Sequence, residues 1–286
     1  MKEQIFVFNN FDNFELKHIF DCGQCFRWNE EPNGSYTGVF GNNVMNILKE
    51  NRRITFKGIC EEGIIKTIAE YFDLDTDYNK IKERLKQTDE HMRVAIEYGN
   101  GIRILKQDFW ETLISFIVSA NNHIPRIKGI IERISKKYGN EIVWQNKTYY
   151  TFPTPEQLKD VSIQDFRDLG LGFRDKRLHD TVQKVLNKEI NLEYIKSIED
   201  INKLREELMK IDGVGPKVAD CIMLFSLKRF EVFPVDVWVR RVMNELYIKS
   251  TDETKVNKND IRKLAKEKYG DIAGIAQQYL FYWKRG

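Results

Sequence analysis

The chain has 286 residues, enough for one large or two moderate domains with an ample apolar core. Its 46 basic and 43 acidic residues give a net charge of only +3, which is too weak to indicate nucleic-acid binding by itself. The chain has four cysteines without a disulfide framework, no signal peptide and no apolar stretch long enough for a bilayer. These features predict a soluble intracellular protein with no membrane partner, cytoplasmic in a prokaryote or nuclear in a eukaryote.

The first hundred residues alternate between short strand-like runs and turn signals. The runs predicted to be strands are 25–28, 35–40, 44–48 and 53–56, with turns at 31–34, 41–43 and 50–51. A helix is predicted over 64–72, because its apolar residues recur at helical spacing. We therefore expect an antiparallel meander covered by a helix.

After about Gly99 the pattern is helical almost throughout. An apolar stripe runs along 110–118, and Thr154-Pro155-Glu156-Gln157 is a capping box. Further helices are predicted near 175–187, 199–210, 217–228, 236–247, 258–269 and 271–283. The fold class is thus α+β, with an N-terminal antiparallel-sheet domain over 1–99 and a helical domain over 100–286. A helix-hairpin-helix is predicted near 199–228.

The segment 211–217 predicts a tight turn between two of these helices. Gly213 and Gly215, on either side of Val214, let the backbone turn sharply and leave its N–H groups uncovered. Such groups at the positive end of a helix can hold a phosphate. Taken alone, this hairpin is most often a non-catalytic DNA-binding element.

Lys217 and Asp236 add possible chemistry to the hairpin. Each stands at the start of a predicted helix, and Asp236 follows 19 positions after Lys217. This spacing allows one helix and a short return, so both can reach one cleft. A lysine held where the ammonium form is disfavoured can act as a nucleophile, and a carboxylate can stabilise positive charge on a sugar. The ordinary alternatives are a solvated lysine and a helix N-cap, and an aspartate can serve both as a cap and in catalysis.

Several separate motifs resemble the helix-hairpin-helix DNA glycosylases, and among them the 8-oxoguanine DNA glycosylase/AP lyases. The resemblance extends along most of the chain in the family's order. The motifs are Gly23-Gln24-Cys25-Phe26-Arg27-Trp28, Ser119-Ala120-Asn121-Asn122-His123-Ile124, Leu169-Gly170-Leu171-Gly172-Phe173-Arg174, Gly213-Val214-Gly215-Pro216-Lys217, Pro234-Val235-Asp236-Val237 and Ala273-Gly274-Ile275-Ala276-Gln277.

The resemblance implies base-excision repair without a metal or organic cofactor. The family acts on a flipped base in double-stranded DNA, here 8-oxoguanine opposite cytosine, and a monomer is expected. It implies that Lys217 attacks C1′, that a Schiff base then permits strand cleavage 3′ to the lesion, and that Asp236 supports the transition state. It also implies phosphate contacts from Gly213, Val214 and Gly215.

The resemblance further implies a base pocket of five residues. The flipped base would lie between Cys221 and Phe281, with Gln277 on its Watson–Crick edge and Phe225 on the same helix face as Lys217. The Gly23 carbonyl would accept the N7 hydrogen of the oxidised base. In normal guanine it would face a lone pair, an unsatisfied contact that costs about 1–3 kcal/mol. Spacing alone fits ordinary core packing for the two phenylalanines, and it leaves an ion pair between Cys221 and Lys217 open.

The resemblance implies four further contacts with the DNA around the lesion. Asn121 would fill the space that the flipped base leaves, Arg126 and Arg174 would contact the orphaned cytosine, and Phe173 would wedge the strand. Trp238 departs from the family, which often has histidine there, so phosphate contact at that point is less secure. Singly, each position also fits a surface or capping residue.

Two other functions remain for comparison. A monofunctional alkylbase glycosylase on the same fold would lack a lysine at position 217, and a non-catalytic DNA-binding module would form no covalent intermediate. The Cys22-Gly23-Gln24-Cys25 spacing is typical of redox motifs, but no helix pattern follows it and no second cysteine pair is present for zinc. We therefore expect no metal or redox function at that motif.

Overall fold

A computed structural model of the chain describes all residues from 1 to 286. Its N-terminal part is a five-stranded antiparallel sheet in the order β1-β5-β4-β3-β2. The strands are β1 (Lys2–Phe8), β2 (Trp28–Glu30), β3 (Tyr36–Phe40), β4 (Asn43–Glu50) and β5 (Arg53–Cys60). The predicted meander is confirmed, although its first strand lies at Trp28–Glu30 instead of 25–28. The sheet also gains β1, which pairs with β5 from Lys2 opposite Cys60 to Phe8 opposite Ile54.

Helices make up most of the remaining chain. They are α1 (Leu16–Phe20), α2 (Ile65–Tyr71), α3 (Tyr78–Lys86), α4 (Glu90–Tyr98), α5 (Phe109–Ser119), α6 (Ile124–Tyr138), α7 (Ile163–Asp168), α8 (Asp175–Leu186), α9 (Leu192–Ser197), α10 (Ile201–Met209), α11 (Pro216–Leu227), α12 (Val237–Met243), α13 (Lys258–Tyr269) and α14 (Ala273–Arg285). The α+β fold class is therefore confirmed. No helix combines the length and the apolar character that a membrane crossing needs.

Three predicted details differ in the structure. The capping box at Thr154 forms, but it begins only a single 3₁₀ turn, Glu156–Leu158. The predicted helix over 236–247 is divided, because α12 continues into a π-helical turn, Asn244–Ile248. A β-hairpin of β6 (Glu141–Trp144) and β7 (Lys147–Tyr150) lies inside the helical region, where no strand was predicted.

Two large apolar cores and one small cluster make up the interior. An aromatic-rich sheet core includes Phe14, Trp28 and Phe56, whereas the larger helical core contains Phe26 and residues from Tyr78 to Leu280. The packing therefore changes near residue 75, since α3 and α4 contribute to the helical core. The division at residue 99 describes the sequence pattern and stays a prediction.

The largely buried helix α5 lies in the helical core. It packs closely on α11, and Phe116 of α5 stacks on Phe225 of α11 with 5.5 Å between ring centroids. Asp220 of α11 accepts hydrogen bonds from Arg205 of α10 at 2.8 Å and Arg262 of α13 at 3.0 Å. These contacts fix the helix that begins at the Gly213–Gly215 turn.

Candidate active site

Lys217 lies in the first turn of α11, which begins at Pro216 with Gly215 as its N-cap. Gly213 has φ +89°, a left-handed conformation that favours glycine, and an added Cβ would lie 2.9 Å from Arg177 Cδ. Gly215 has φ −93°, and an added Cβ there would meet nothing within 4 Å. The first glycine thus permits the turn, while the second leaves the backbone open to an approaching phosphate.

Asp236 is the N-cap of α12, and one of its carboxylate oxygens accepts a hydrogen bond from Val239 N at 2.7 Å. This bond fixes the side chain and confirms the capping role that the sequence suggested. The carboxylate is only half-buried and lines a cleft that Lys217 also lines. The structure therefore places the amine and the carboxylate beside one open volume.

That cleft measures about 590 Å³ and lies between the sheet-side loop and the helical core. Lys217 Nζ lies 5.1 Å from the centroid of the Phe116 ring, over its face. Four other residues singled out in the sequence line the cleft: Gly23, Asn121, Trp238 and Phe281. The cleft is large enough for part of a nucleotide, so the two chemical groups are accessible to a substrate.

A smaller cavity of about 40 Å³ adjoins the cleft. All five predicted base-pocket residues line it, namely Gly23, Cys221, Phe225, Gln277 and Phe281. Lys217 and Asp236 line both cavities, so the two predicted catalytic side chains lie next to the predicted base pocket. Its volume is about that of one water molecule, so the side chains must move apart before a base can enter.

The Cys221 thiol is buried one helical turn from Lys217. Burial raises its pKa to about 11, although the Lys217 ammonium acts in the opposite direction. The neutral thiol is therefore the form present at neutral pH, and the ion pair that the sequence left open is disfavoured. A neutral, polarisable thiol is suited to contact with the face of a base.

The loop that carries Gly23 is fixed by its neighbour Gln24. Gly23 has φ +81°, and fully buried Gln24 makes a hydrogen bond with each end of its amide. Its nitrogen donates to the carbonyls of Ile19 and Arg103, both at 2.8 Å, and its oxygen accepts from Leu105 N at 2.9 Å. Sequence reasoning missed this role, although a glutamine among apolar neighbours was an available signal.

The Cys22 and Cys25 thiols on either side of this loop are free, packed groups. Cys22 donates a hydrogen bond to Ile19 O at 3.3 Å, and Cys25 donates to Phe20 O at 3.9 Å. Burial raises the pKa of Cys22 to about 12 and that of Cys25 well above its usual range. These contacts give both thiols a structural role in the loop.

Four predicted DNA-contacting residues lie near the α5–α6 loop, and of these Asn121 lines the cleft. Asn121 is exposed in the α5–α6 loop with φ +51°, and Phe173 is more than half exposed. Arg174 is buried: it donates to the carbonyl of Ala120 and, at 2.9 Å, to that of Asn121. Arg126 is exposed and donates to Gly170 O at 3.3 Å. The structure thus gives Arg174 an additional, loop-supporting role.

Several residues of the site were not singled out from the sequence. Phe116 lines both cavities, Gln278 lines the smaller one, and Arg241 and Arg285 line the cleft. The two arginines belong to the C-terminal segment 240–286, which carries eleven basic and six acidic residues. That local excess was the only sequence signal for them, and most such charges simply lie on solvated helix faces.

Comparison with known proteins places this architecture among DNA repair enzymes. Residues 7–113 match the family model of the 8-oxoguanine DNA glycosylase N-terminal domain. Residues 114–267 match the model of the HhH-GPD superfamily base excision DNA repair proteins. A Saccharomyces cerevisiae N-glycosylase/DNA lyase is 32% identical over 93% of this chain and 82% of its own.

Solved structures of a Clostridium acetobutylicum 8-oxoguanine glycosylase/lyase are similar over nearly the whole chain. The apo form is 46% identical with a TM-score of 0.92, covering 99% of this chain and 98% of that one. A second structure of that enzyme, in complex with dsDNA containing cytosine opposite 8-oxoG, has a TM-score of 0.93 at 46% identity and covers 99% and 97% of the two chains.

The chain belongs to the helix-hairpin-helix superfamily of base-excision DNA repair proteins. Within that superfamily it is a member of the 8-oxoguanine DNA glycosylase/lyase family. It is therefore an enzyme that combines DNA N-glycosylase and DNA lyase activities.

Proposed function

We propose that Lys217 is the nucleophile that removes 8-oxoguanine from duplex DNA and that Asp236 assists it. The observation that carries this assignment is that both side chains line the same two adjoining cavities, one open and one among the predicted base-pocket residues. A monofunctional alkylbase glycosylase has no use for an amine at this point. A non-catalytic DNA-binding module would need Asp236 only as a helix cap and would not need Lys217 beside it.

The reaction begins when the target nucleotide leaves the helix stack. The Lys217 nitrogen forms a bond to C1′ as the bond between C1′ and N9 breaks, and the base leaves with the bonding electron pair. The amine loses its proton and the sugar ring opens, which gives a Schiff base between Lys217 and C1′. Loss of a C2′ proton then expels the 3′ phosphate, and water finally releases the lysine.

Asp236 stabilises the positive charge that develops on the sugar as the base departs. Its hydrogen bond from Val239 N holds one oxygen, so the carboxylate meets the sugar in a fixed orientation. A preoriented charge requires little reorganisation during the reaction, which is why the cap and the catalytic role support each other.

Base selection combines stacking with hydrogen bonds. Cys221 and Phe281 enclose the faces of the base, Gln277 reads its Watson–Crick edge, and Phe225 closes the end of the pocket. The Gly23 carbonyl accepts the N7 hydrogen that only the oxidised base carries, and Gln24 holds that carbonyl in place. This contact gives about a 5- to 150-fold preference for 8-oxoguanine over guanine, which is too small to reject the excess of undamaged guanine. Part of the selection against guanine therefore occurs before or during flipping.

The opposite strand and backbone are held at the rim of the cleft. Asn121 takes the place of the flipped nucleotide, Phe173 wedges the strand, and Arg126 and Arg174 favour cytosine opposite the lesion. The Gly213-Val214-Gly215 turn binds a phosphate through its N–H groups. We further propose that the enzyme acts as a monomer on DNA within the cell, in the cytoplasm of a prokaryote or the nucleus of a eukaryote.

Borohydride trapping tests this function. Wild-type protein should form a covalent complex with duplex DNA that contains 8-oxoguanine, and Lys217→Gln should form none. Lys263→Gln, which alters an exposed lysine of α13, is the matched control and should trap normally. The assay is run with all four opposite bases, and we expect cytosine to give the fastest trapping. Wild-type binding without trapping or nicking would reject the proposal.

A further inference from the structure

We propose that Gln278 is a second amide of the base pocket and accepts a hydrogen bond from the Watson–Crick edge of the flipped purine. This inference rests on the proposed function, which assigns the pocket to that base. Gln278 lies on α14 directly after Gln277, and both residues line the cavity of about 40 Å³. Neither the motifs nor their spacing singled it out.

The side chain of Gln278 is buried, with only 4% of its surface exposed. Its amide nitrogen donates to Gln277 Oε1 at 2.7 Å, whereas its own oxygen is buried without any hydrogen-bond partner. A buried acceptor without a donor destabilises a folded protein, and an apolar side chain of similar shape would avoid that cost. The position of the amide in the pocket wall indicates that a bound molecule supplies the donor.

The chemistry of the base fits this pair of amides. The Watson–Crick edge of a guanine-type base carries one acceptor, O6, beside two donors, N1–H and the 2-amino group. Gln277 keeps one amide nitrogen for O6, and the two glutamine oxygens offer acceptors to the two donors. The hydrogen bond from Gln278 to Gln277 also fixes which way the Gln277 amide faces. An adenine-type base lacks both donors at these positions, so the pair selects against it.

The first test compares excision of 8-oxoguanine with excision of 8-oxoadenine, each opposite cytosine, under single-turnover conditions. Gln278→Met keeps the length of the side chain and removes the acceptor. It should lower the rate for 8-oxoguanine by about 10- to 100-fold and change the rate for 8-oxoadenine much less. The ratio of the two rates therefore falls by at least about tenfold.

The second measurement separates base recognition from folding and from the lysine chemistry. DNA with a preformed abasic site contains no base, so Gln278→Met should cleave it at the wild-type rate. A further substrate, 8-oxohypoxanthine, lacks only the 2-amino group. If Gln278→Met loses less excision rate on 8-oxohypoxanthine than on 8-oxoguanine, the 2-amino group is the donor to Gln278. If the two losses are equal, N1–H is the donor. Gln164→Met, at an exposed glutamine of α7, is the control and should behave as wild type on every substrate.

Two outcomes would overturn the inference while leaving the proposed function intact. One is an unchanged ratio between 8-oxoguanine and 8-oxoadenine in Gln278→Met. The other is an equal loss on both bases and on abasic DNA, which would mean that Gln278 only supports the fold. If wild-type protein itself neither excises 8-oxoguanine nor traps on it, the failure belongs to the proposed function.

Discussion

Asp236 shows how a single carboxylate can serve structure and chemistry at once. Its bond to Val239 N caps α12, and the same side chain lines the cleft beside Lys217. The sequence allowed both roles for this one residue. They are compatible because an N-cap uses one oxygen and leaves the other available.

The two roles separate in Asp236→Asn. Asparagine caps helices about as well as aspartate, so the melting temperature should change little. The lost charge should slow excision of 8-oxoguanine by about 10²- to 10⁴-fold, with a much smaller change in DNA affinity. Rates come from single-turnover kinetics and affinities from fluorescence anisotropy. Asp200→Asn, at the N-cap of α10, is the matched control. Equal losses of rate and affinity would show that Asp236 mainly supports the fold.

Glu111 on α5 makes stability depend on pH. Burial raises its pKa from an ordinary value of 4.5 to about 7, although the Arg27 guanidinium opposes the shift. The folded state therefore favours the protonated acid, and this contribution to stability is present below pH 4.5 and lost as the pH rises towards 7. Glu111→Gln imitates the neutral form, so it should stabilise the protein by about 1–2 kcal/mol at pH 8 and little at pH 4.5.

Urea denaturation of Glu111→Gln and wild type at pH 4.5, 6 and 8 measures this difference. Glu132→Gln, on the neighbouring helix α6 and more exposed, serves as the control and should show no such trend. A gain that is the same at every pH would contradict the interpretation, because a constant gain would come from packing and not from proton binding.

At the scale of elements, the α5–α6 loop and the turn before α8 form one unit through Arg174. This buried guanidinium binds backbone carbonyls of the first segment, while Arg126 reaches out from the start of α6. Two arginines that look equivalent in the sequence thus occupy different environments. One faces solvent, and the other holds the loop that carries Asn121.

Alanine substitutions distinguish these environments. Arg126→Ala should relax the preference for cytosine opposite the lesion with little effect on stability. Arg174→Ala should relax it too, but should also cost about 2–3 kcal/mol, because it removes the donor to the carbonyl groups of Ala120, Asn121 and buried Leu171. Excision rates against all four opposite bases and thermal unfolding measure both effects. An unchanged opposite-base profile in Arg126→Ala would remove that residue from the proposed cytosine contact.

The sequence predicted the parts of the fold that depend on local signals. Helical periodicity and glycine turns located α8, α10, α11 and α13 within a few residues, because these signals are local. Strand β1 was missed because apolar residues stand next to one another in Ile5-Phe6-Val7-Phe8 and hide the period of two. The β6–β7 hairpin was missed because Gln145 and Asn146 adopt positive φ without the usual glycine.

The candidate site could also be predicted only in part. The structure brings Lys217, Asp236, Gly23 and Phe281 together as the sequence predicted, since all four line the same two cavities. The burial of Arg174 and the support from Gln24 depend on segments far apart in the chain. No spacing rule contains that information, so it became visible only in the folded chain.

For the whole molecule, a net charge of +3 leaves DNA binding to the local charges of the cleft. Arg285 lines the cleft at the end of α14, with its guanidinium 5.6 Å from the centroid of the Phe281 ring. Each phosphate that a cation neutralises adds about 0.9 to the steepness with which binding weakens as salt increases. Binding should therefore depend strongly on a few arginines, even though the protein is nearly neutral.

Arg285→Ala tests this dependence. The slope of log affinity against log salt concentration should become less steep by about 0.9, because one phosphate contact is lost. Lys2→Ala, in the sheet-edge strand β1 and outside the cleft, should leave the slope unchanged. Fluorescence anisotropy between low and moderate salt gives both slopes. Equal slopes for wild type and Arg285→Ala would mean that this arginine does not contact a phosphate.

The cysteines described above have a consequence for the conditions in which this enzyme must operate. Peroxides attack the thiolate form of cysteine, and burial raises the pKa of all four thiols, so little thiolate is available at neutral pH. The lesion it removes is a product of oxidation, so demand for repair rises together with the oxidant. We therefore expect the thiols of this repair enzyme to resist oxidation when its substrate is most abundant.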